Sequence, residues 1–166
     1  HPVLLCDNTV YQIVGKKFQS CLTRYGLHVL HVSFNGEASD NEINRVAALA
    51  EKDGADLVIG LGGGKTIDSA KAIADLLGNP VVIAPTIAST DAPTSALSVI
   101  YTEEGAFEKY IFYTKNPDLV LVDSKVIAQA PKRLLASGIA DGLATWVERV
   151  RLCRQMERPC WDKDRL

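Results

Sequence analysis

The sequence predicts an α/β fold, a Rossmann-like parallel sheet with flanking helices and an inserted β-hairpin. Three observations predict it. Short apolar runs alternate with amphipathic stretches along the first half of the chain, glycines stand where those stretches end, and one apolar run passes through three glycines directly into a helical pattern. The apolar run at 3–6 reads as the first strand and the pattern at 10–24 as the helix after it. A strand over 28–33, a helix over 41–52, a strand over 57–61, a helix over 66–77 and a strand over 81–84 follow. This alternation calls for parallel strands covered on both faces. Asp40 stands where a helix wants an N-cap, and Gly26, Gly54 and Gly78 stand where helices end in a left-handed residue. Beyond Pro93, runs at 96–102 and 107–113 flank Glu103-Glu104-Gly105 as a hairpin inserted in the α/β unit. Residues 119–123 read as a further buried strand. A helical region starts at Pro131 and runs through Trp146, with Pro159 placed to stop it.

With 166 residues and 47% hydrophobic content, the chain can bury one real core. The net charge of −2 sets aside a general nucleic-acid or membrane surface. That charge is uneven. Residues 149–166 hold six basic and three acidic side chains, so this tail carries +3 and the body −5. The chain therefore divides into an α/β domain at 1–148 and a basic tail at 149–166. No apolar run has the length of a membrane span and no leader precedes Val3, which predicts a soluble, cytoplasmic protein. Cys6, Cys21, Cys153 and Cys160 form no CxxC pair and read as reduced thiols, the first two in the core. His28 and His31 fall on opposite faces of the predicted second strand, which argues against their chelating one metal together.

Gly62-Gly63-Gly64-Lys65-Thr66 follows the strand at 57–61 and opens a helix, the arrangement that brings backbone N–H groups and a helix dipole to a phosphate. A nucleotide-triphosphatase loop would need its first glycine at position 59, which is Ile59. The usual dinucleotide fingerprint begins at Gly60-Leu61-Gly62, but its third glycine would fall on Lys65. Asp7 ends the first strand and serves either as a helix cap or as acceptor for both ribose hydroxyls, the latter selecting NAD over NADP. Asp68 reads as a favourable charge in a first helical turn and Lys71 as an exposed helix lysine. Asp91 fits an Asx turn or a ligand contact, and Asp141 a helix cap or a metal ligand.

The string from Gly62 through Lys71, followed by Ala84-Pro85-Thr86-Ile87-Ala88-Ser89-Thr90-Asp91-Ala92-Pro93, resembles the glycerol dehydrogenase branch of the metal-dependent alcohol dehydrogenase family. The likeness runs from Pro2 to Glu148. It implies NAD as cofactor, glycerol or a similar small polyol as substrate, and a catalytic zinc. It also implies roles for particular residues. Gly62, Gly63, Gly64 and Lys65 would hold the pyrophosphate, Asp7 the adenosine ribose, and Thr86 and Ser89 the adenine side. Ser95, Leu97 and Tyr101, on the first hairpin strand, would flank the nicotinamide. Asp91 would meet the substrate hydroxyls, and Asp141 would be one zinc ligand.

The same resemblance implies what this sequence does not hold: a leading strand and helix, and an all-helical C-terminal domain carrying two histidine ligands. The expectation is a cofactor-binding part that is inactive alone, or else a non-catalytic dinucleotide-binding module. Trp146, Val147 and Leu152 would lie on the apolar face such a helical domain covers, and self-association is expected through it.

Overall fold

In the computed structural model of the protein, which describes residues 1–155, β1 (Pro2–Cys6) is buried along its whole length, as a central parallel strand covered on both faces must be. The remaining strands of its sheet are β2 (Leu30–Ser33), β3 (Leu57–Gly62), β4 (Val81–Pro85) and β7 (Leu119–Val120). They lie in the order β2-β1-β3-β4-β7, and every neighbouring pair is parallel. Between β4 and β7 the chain makes the separate antiparallel hairpin β5 (Leu97–Tyr101) and β6 (Phe107–Phe112).

Side-chain alternation along β1 divides the core in two. Val3 and Leu5 join Val46, Ile67, Ile73, Ile83 and Ile100, beneath α3 (Asp40–Lys52), α4 (Gly64–Leu77) and the hairpin. Leu4 and Cys6 join Ile59, Leu61 and Ala84 on the opposite face, where Val10, Tyr11, Val14, Phe18 and Leu22 pack on them. Those five come from a helix with a change of pitch. It begins as α1 (Asn8–Val10), widens into a π-helical turn at Tyr11–Gly15 and continues as α2 (Lys16–Arg24). A side chain at Gly15 would put its Cβ 2.7 Å from Tyr11 Cδ2, so the folded-back Tyr11 ring requires glycine there. That ring stacks on His31, with centroids 3.8 Å apart.

Several expectations need correction. The cap of α3 is Ser39, which accepts from Glu42 N, and Asp40 is already helical. The buried strand expected at 119–123 is only the two-residue β7; Leu119 in it and Leu121 and Val122 just after it are exposed, because among the described residues this edge strand has no outer neighbour. A short helix, α5 (Ser124–Gln129), follows it under an Asp123 cap. His28 lies ahead of β2 rather than in it. The last helix, α6 (Lys132–Gln155), passes through position 148 without a break, whereas the expected stop at Pro159 lies outside the described residues, as do Cys160 and Trp161. Gly26, Gly54 and Gly78 do end helices with positive φ, as expected.

Cys21 is exposed, not core, while Cys6 is fully buried. Burial, helped by the Asp7 carboxylate beside it, pushes the Cys6 thiol up to about 12. An alkylating reagent at pH 8 is therefore expected to label Cys21 in the native protein and to leave Cys6 untouched until denaturant is added. Peptide mapping checks this, and native labelling of Cys6 would contradict the packing described.

Candidate functional site

Chain direction across the sheet reverses at one place. From β1 the connection leads outward to β2 on one side, and the next strand, β3, pairs on the other. Ligands of open α/β sheets sit outside the carboxyl ends of the strands at such a point, because the two flanking connections diverge and leave a crevice. The register pairs Leu5 with Gly60, so Asp7, two residues on, reaches the crevice together with Gly62.

Here β3 gives way to α4 through Gly63, whose backbone is extended and which has no side chain to cap the helix. The first N–H groups of a fourteen-residue helix thus face the crevice with the positive end of its dipole. Packing also accounts for some of these glycines. A Cβ on Gly60 would lie 2.6 Å from Ala70 Cβ, and one on Gly63 would lie 2.9 Å from Ile87 Cδ1. Gly64 meets nothing closer than Thr90 Cγ2 at 3.5 Å, so its lack of a side chain is not demanded by the fold. Lys65 is exposed beside it. Its ammonium pairs with Glu37, a partner the sequence did not suggest, and lies 5.2 Å from the centre of the Tyr101 ring.

On the other side of β3, Thr86 is buried at the end of β4 and donates its N–H to Gly62 O at 3.0 Å. It lines a cleft of about 510 Å³ with Val14, Phe18, Leu61, Leu121 and Val126. Asp7 caps α1, its Oδ1 accepting from Val10 N at 2.9 Å, so the structural alternative for this residue is realised.

The segment after β4 is the second wall. Its Asp91 N–H donates to Asp141 Oδ2 at 3.1 Å, which joins two residues fifty positions apart. Ser137 Oγ donates to Ser89 O at 3.4 Å. A Cβ added to Gly138 would fall inside contact distance of the Ala88 carbonyl oxygen and 2.9 Å from its carbon. Glycine at 138 thus lets α6 rest directly on the backbone of this loop.

Asp68 and Lys71 are where the sequence reading failed. Neither is exposed: Asp68 retains 6% and Lys71 3% of its accessible surface. The two form an ion pair at 2.9 Å along α4, and together they hold the hairpin and the loop before it. Lys71 Nζ donates to Ala92 O at 3.0 Å, to Ser95 O and Oγ at 3.3 Å each, and to Leu97 O. Asp68 Oδ2 accepts from Val99 N at 3.1 Å, and Ser98 Oγ donates to Asp68 O at 2.8 Å. Burial pushes the Asp68 carboxyl above its ordinary value, against the pull of Lys71 and of the Val99 N–H. Ser95 precedes β5 rather than belonging to it, so of the three residues assigned to the hairpin strand only Leu97 and Tyr101 lie on it.

The crevice accordingly gathers Asp7, Gly62, Gly63, Gly64, Lys65 and Thr86 from strand ends and one helix start. Asp91 and Asp141 meet beside it, and Ser95 and Leu97 are tied to α4 by Lys71. Glu37, Asp68 and Lys71 are the members missed. The Asp-x-x-Lys spacing does place both side chains on one helix face. What covers that face comes from the hairpin, thirty residues downstream.

Comparison with known proteins agrees with this arrangement. Residues 1–124 match the family described as iron-containing alcohol dehydrogenase. A glycerol dehydrogenase of Escherichia coli O6:H1 is 57% identical over 150 residues, covering 85% of this chain and 41% of that protein. A glycerol dehydrogenase of Thermotoga maritima is 50% identical over 157 residues, 95% of this chain and 42% of that one. A glycolaldehyde reductase of Halobacterium salinarum is 53% identical over 146 residues, 88% and 40% respectively. The crystal structure of glycerol dehydrogenase from Schizosaccharomyces pombe superposes with a TM-score of 0.85 at 46% identity, covering 92% of this chain and 39% of that one. The chain thus spans about two-fifths of the length of the relatives it matches. Identity of this order, on a sheet whose reversal point carries the same glycine turn that the sequence singled out, leaves one assignment: the chain belongs to the iron-containing alcohol dehydrogenase family.

Proposed function

We propose that this chain is the cofactor-binding part of an NAD-dependent glycerol dehydrogenase, whose complete form oxidises the secondary hydroxyl of glycerol to give dihydroxyacetone. The observation that carries the reading is the α4 N-terminus, free of any side-chain cap and set at the sheet's reversal point beside Asp7. NAD, when bound, supplies the hydride acceptor. Gly62, Gly63 and Gly64 give its pyrophosphate access to the helix N–H groups, and Lys65 adds a positive charge once it exchanges Glu37 for phosphate oxygens. The cleft at Thr86 has the apolar walls an adenine ring requires, and Ser89, three residues on, is assigned to the same adenine side. Ser95, Leu97 and Tyr101 flank the nicotinamide, and Asp91 accepts from substrate hydroxyls.

A metal does not find its full ligand set here. Asp141 offers one carboxylate, and among the described residues it belongs to no group of three His, Cys, Asp or Glu side chains within reach of one ion. Zinc is the metal proposed for the whole enzyme, with Asp141 as one ligand. The second reading is a module that binds NAD without turnover. An assay of NADH formation from glycerol with added zinc, run on a complete form that includes this chain, separates the two: turnover supports the dehydrogenase, and NAD binding without turnover supports the module.

The proposed cofactor is tested by titrating the protein with NAD and NADP while following intrinsic fluorescence. NAD is expected to bind at least tenfold tighter, because the 2′-phosphate of NADP meets the Asp7 carboxylate. Asp7→Ser keeps a capping side chain and should narrow the gap. Equal affinities in the unaltered protein would remove Asp7 from the site.

The proposed partners are a small polyol and a second copy of the chain, with no nucleic acid or membrane. Leu135, Ile139, Leu143, Trp146, Val147 and Leu152 of α6 are all more than half exposed, which supports self-association. Light scattering is expected to show the apparent mass rising with concentration. A constant monomer mass across that range would refute the assignment. No helix among the described residues is long and apolar enough to cross a membrane.

A further inference from the structure

At the opposite, amino-terminal edge of the sheet, three metal-ligating side chains come together from distant parts of the chain. We propose that His1, His28 and Asp53 form a zinc-class divalent cation site, separate from the cofactor crevice and from Asp141. His1 precedes β1, His28 lies in the loop entering β2, and Asp53 closes α3 ahead of β3, so the parallel topology itself stacks the three. One ligand atom from each lies within 4.8 Å of the other two.

The spacing is that of ligands and not of a completed hydrogen bond. His28 Nε2 stands 3.6 Å from Asp53 Oδ2, beyond hydrogen-bond length. Ligand atoms at 2.0–2.2 Å around a tetrahedral zinc are separated by about 3.3–3.5 Å, so a small movement of exposed side chains closes the set. Asp53 Oδ2 is a buried atom that has no hydrogen-bond partner among the described residues, a state that costs free energy unless a cation satisfies it. The His1 and His28 rings lie 5.0 Å apart, tilted by 55° and not stacked on one another. The backbone under His1 is fixed, since Asp56 donates its N–H to His1 O at 3.1 Å.

Two imidazoles and one carboxylate suit zinc and are too few, and too rich in nitrogen, for calcium or magnesium. Three protein ligands leave a fourth position for water. The bound ion would tie together the start of β1 and the loops entering β2 and β3.

The test is isothermal titration of the protein with Zn²⁺, alongside His28→Ala, Asp53→Asn and Asp141→Asn. Of the three site residues, the two substituted here, His28 and Asp53, are largely and partly exposed, so the substitutions leave the fold intact. One zinc per chain is expected, weakened at least tenfold in His28→Ala and in Asp53→Asn and unchanged in Asp141→Asn. Saturating zinc should raise the melting temperature by about 5–10 °C at a hundredfold excess over Kd, and not in His28→Ala. Co²⁺ in place of zinc should give four-coordinate visible absorption without a thiolate charge-transfer band. Absence of stoichiometric binding, binding indifferent to His28 and Asp53, binding lost in Asp141→Asn, or a thiolate band would each overturn the site. None of these outcomes depends on whether NAD binds.

Discussion

Lys71→Met is expected to cost about 3–5 kcal/mol of folding stability, the usual consequence of removing one partner from a buried ion pair. The methionine roughly fills the volume, so the loss measures the charge and its hydrogen bonds rather than a cavity. Asp68 is left in place with desolvation acting on it and only the Val99 N–H to oppose it. Four acceptors from the loop and hairpin, Ala92 O, Ser95 O, Ser95 Oγ and Leu97 O, lose their donor together. The pH dependence has a definite sign. A carboxyl raised above its unfolded value of 3.8 makes the native state bind the proton more tightly, so its contribution is fully present below that value and is lost as pH rises through the folded pKa. The variant should therefore be less impaired at pH 5 than at pH 8. Urea melts at both pH values measure this, and the double variant Asp68→Asn with Lys71→Met should recover part of the loss. A Lys71→Met protein as stable as the original at pH 8 would show that the pair is not buried as described.

Two glycines four positions apart in α6 are expected to respond to alanine with opposite sign. At Gly142 a Cβ meets nothing within 4 Å among the described residues, and replacement should stabilise by about 0.5–1 kcal/mol through helix propensity alone. At Gly138 the same Cβ runs into the Ala88 carbonyl, backbone that cannot rotate away. No residue of α6 is buried, so the helix should lift from the loop rather than distort the sheet. The cost is about 1–3 kcal/mol, and the contact between Asp91 N and Asp141 Oδ2 goes with it. Amide exchange should quicken through α6 and around Asp91 while β1 and β3 stay protected. Stabilisation by both substitutions would mean that α6 does not rest on this loop.

The strand–helix succession through β4 and the hairpin was legible because each piece carries a local signal. Apolar runs marked the strands, glycines with positive φ marked the ends of helices, and Glu103-Glu104-Gly105 marked the turn. Features decided by distant packing were not legible. The three-residue spacing of Asp68 and Lys71 looks like any solvated helix face until the hairpin is laid over it. Cys21 has the composition of a core residue but lies on the outer face of α2, and Leu119 and Leu121 lie in and just after an edge strand with no strand beyond it among the described residues. Glu37 carries no motif at all. Its pairing with Lys65 arises only because the loop before α3 and the start of α4 meet at the sheet's carboxyl end. The glycine turn was the strongest single sequence signal, and the fold adds its position at the reversal point.

Helix α4 acts as a lever with two working ends. Its uncapped N–H groups begin at Gly64, and Asp68, one turn and about 6 Å along the axis, grips the hairpin through Val99. An anion that steadies the first turn also steadies the carboxylate on which the hairpin hangs, and by thermodynamic linkage the hairpin steadies the anion equally. Slower amide exchange at Val99 on addition of NAD would therefore report ligand occupancy from a residue that need not touch the ligand.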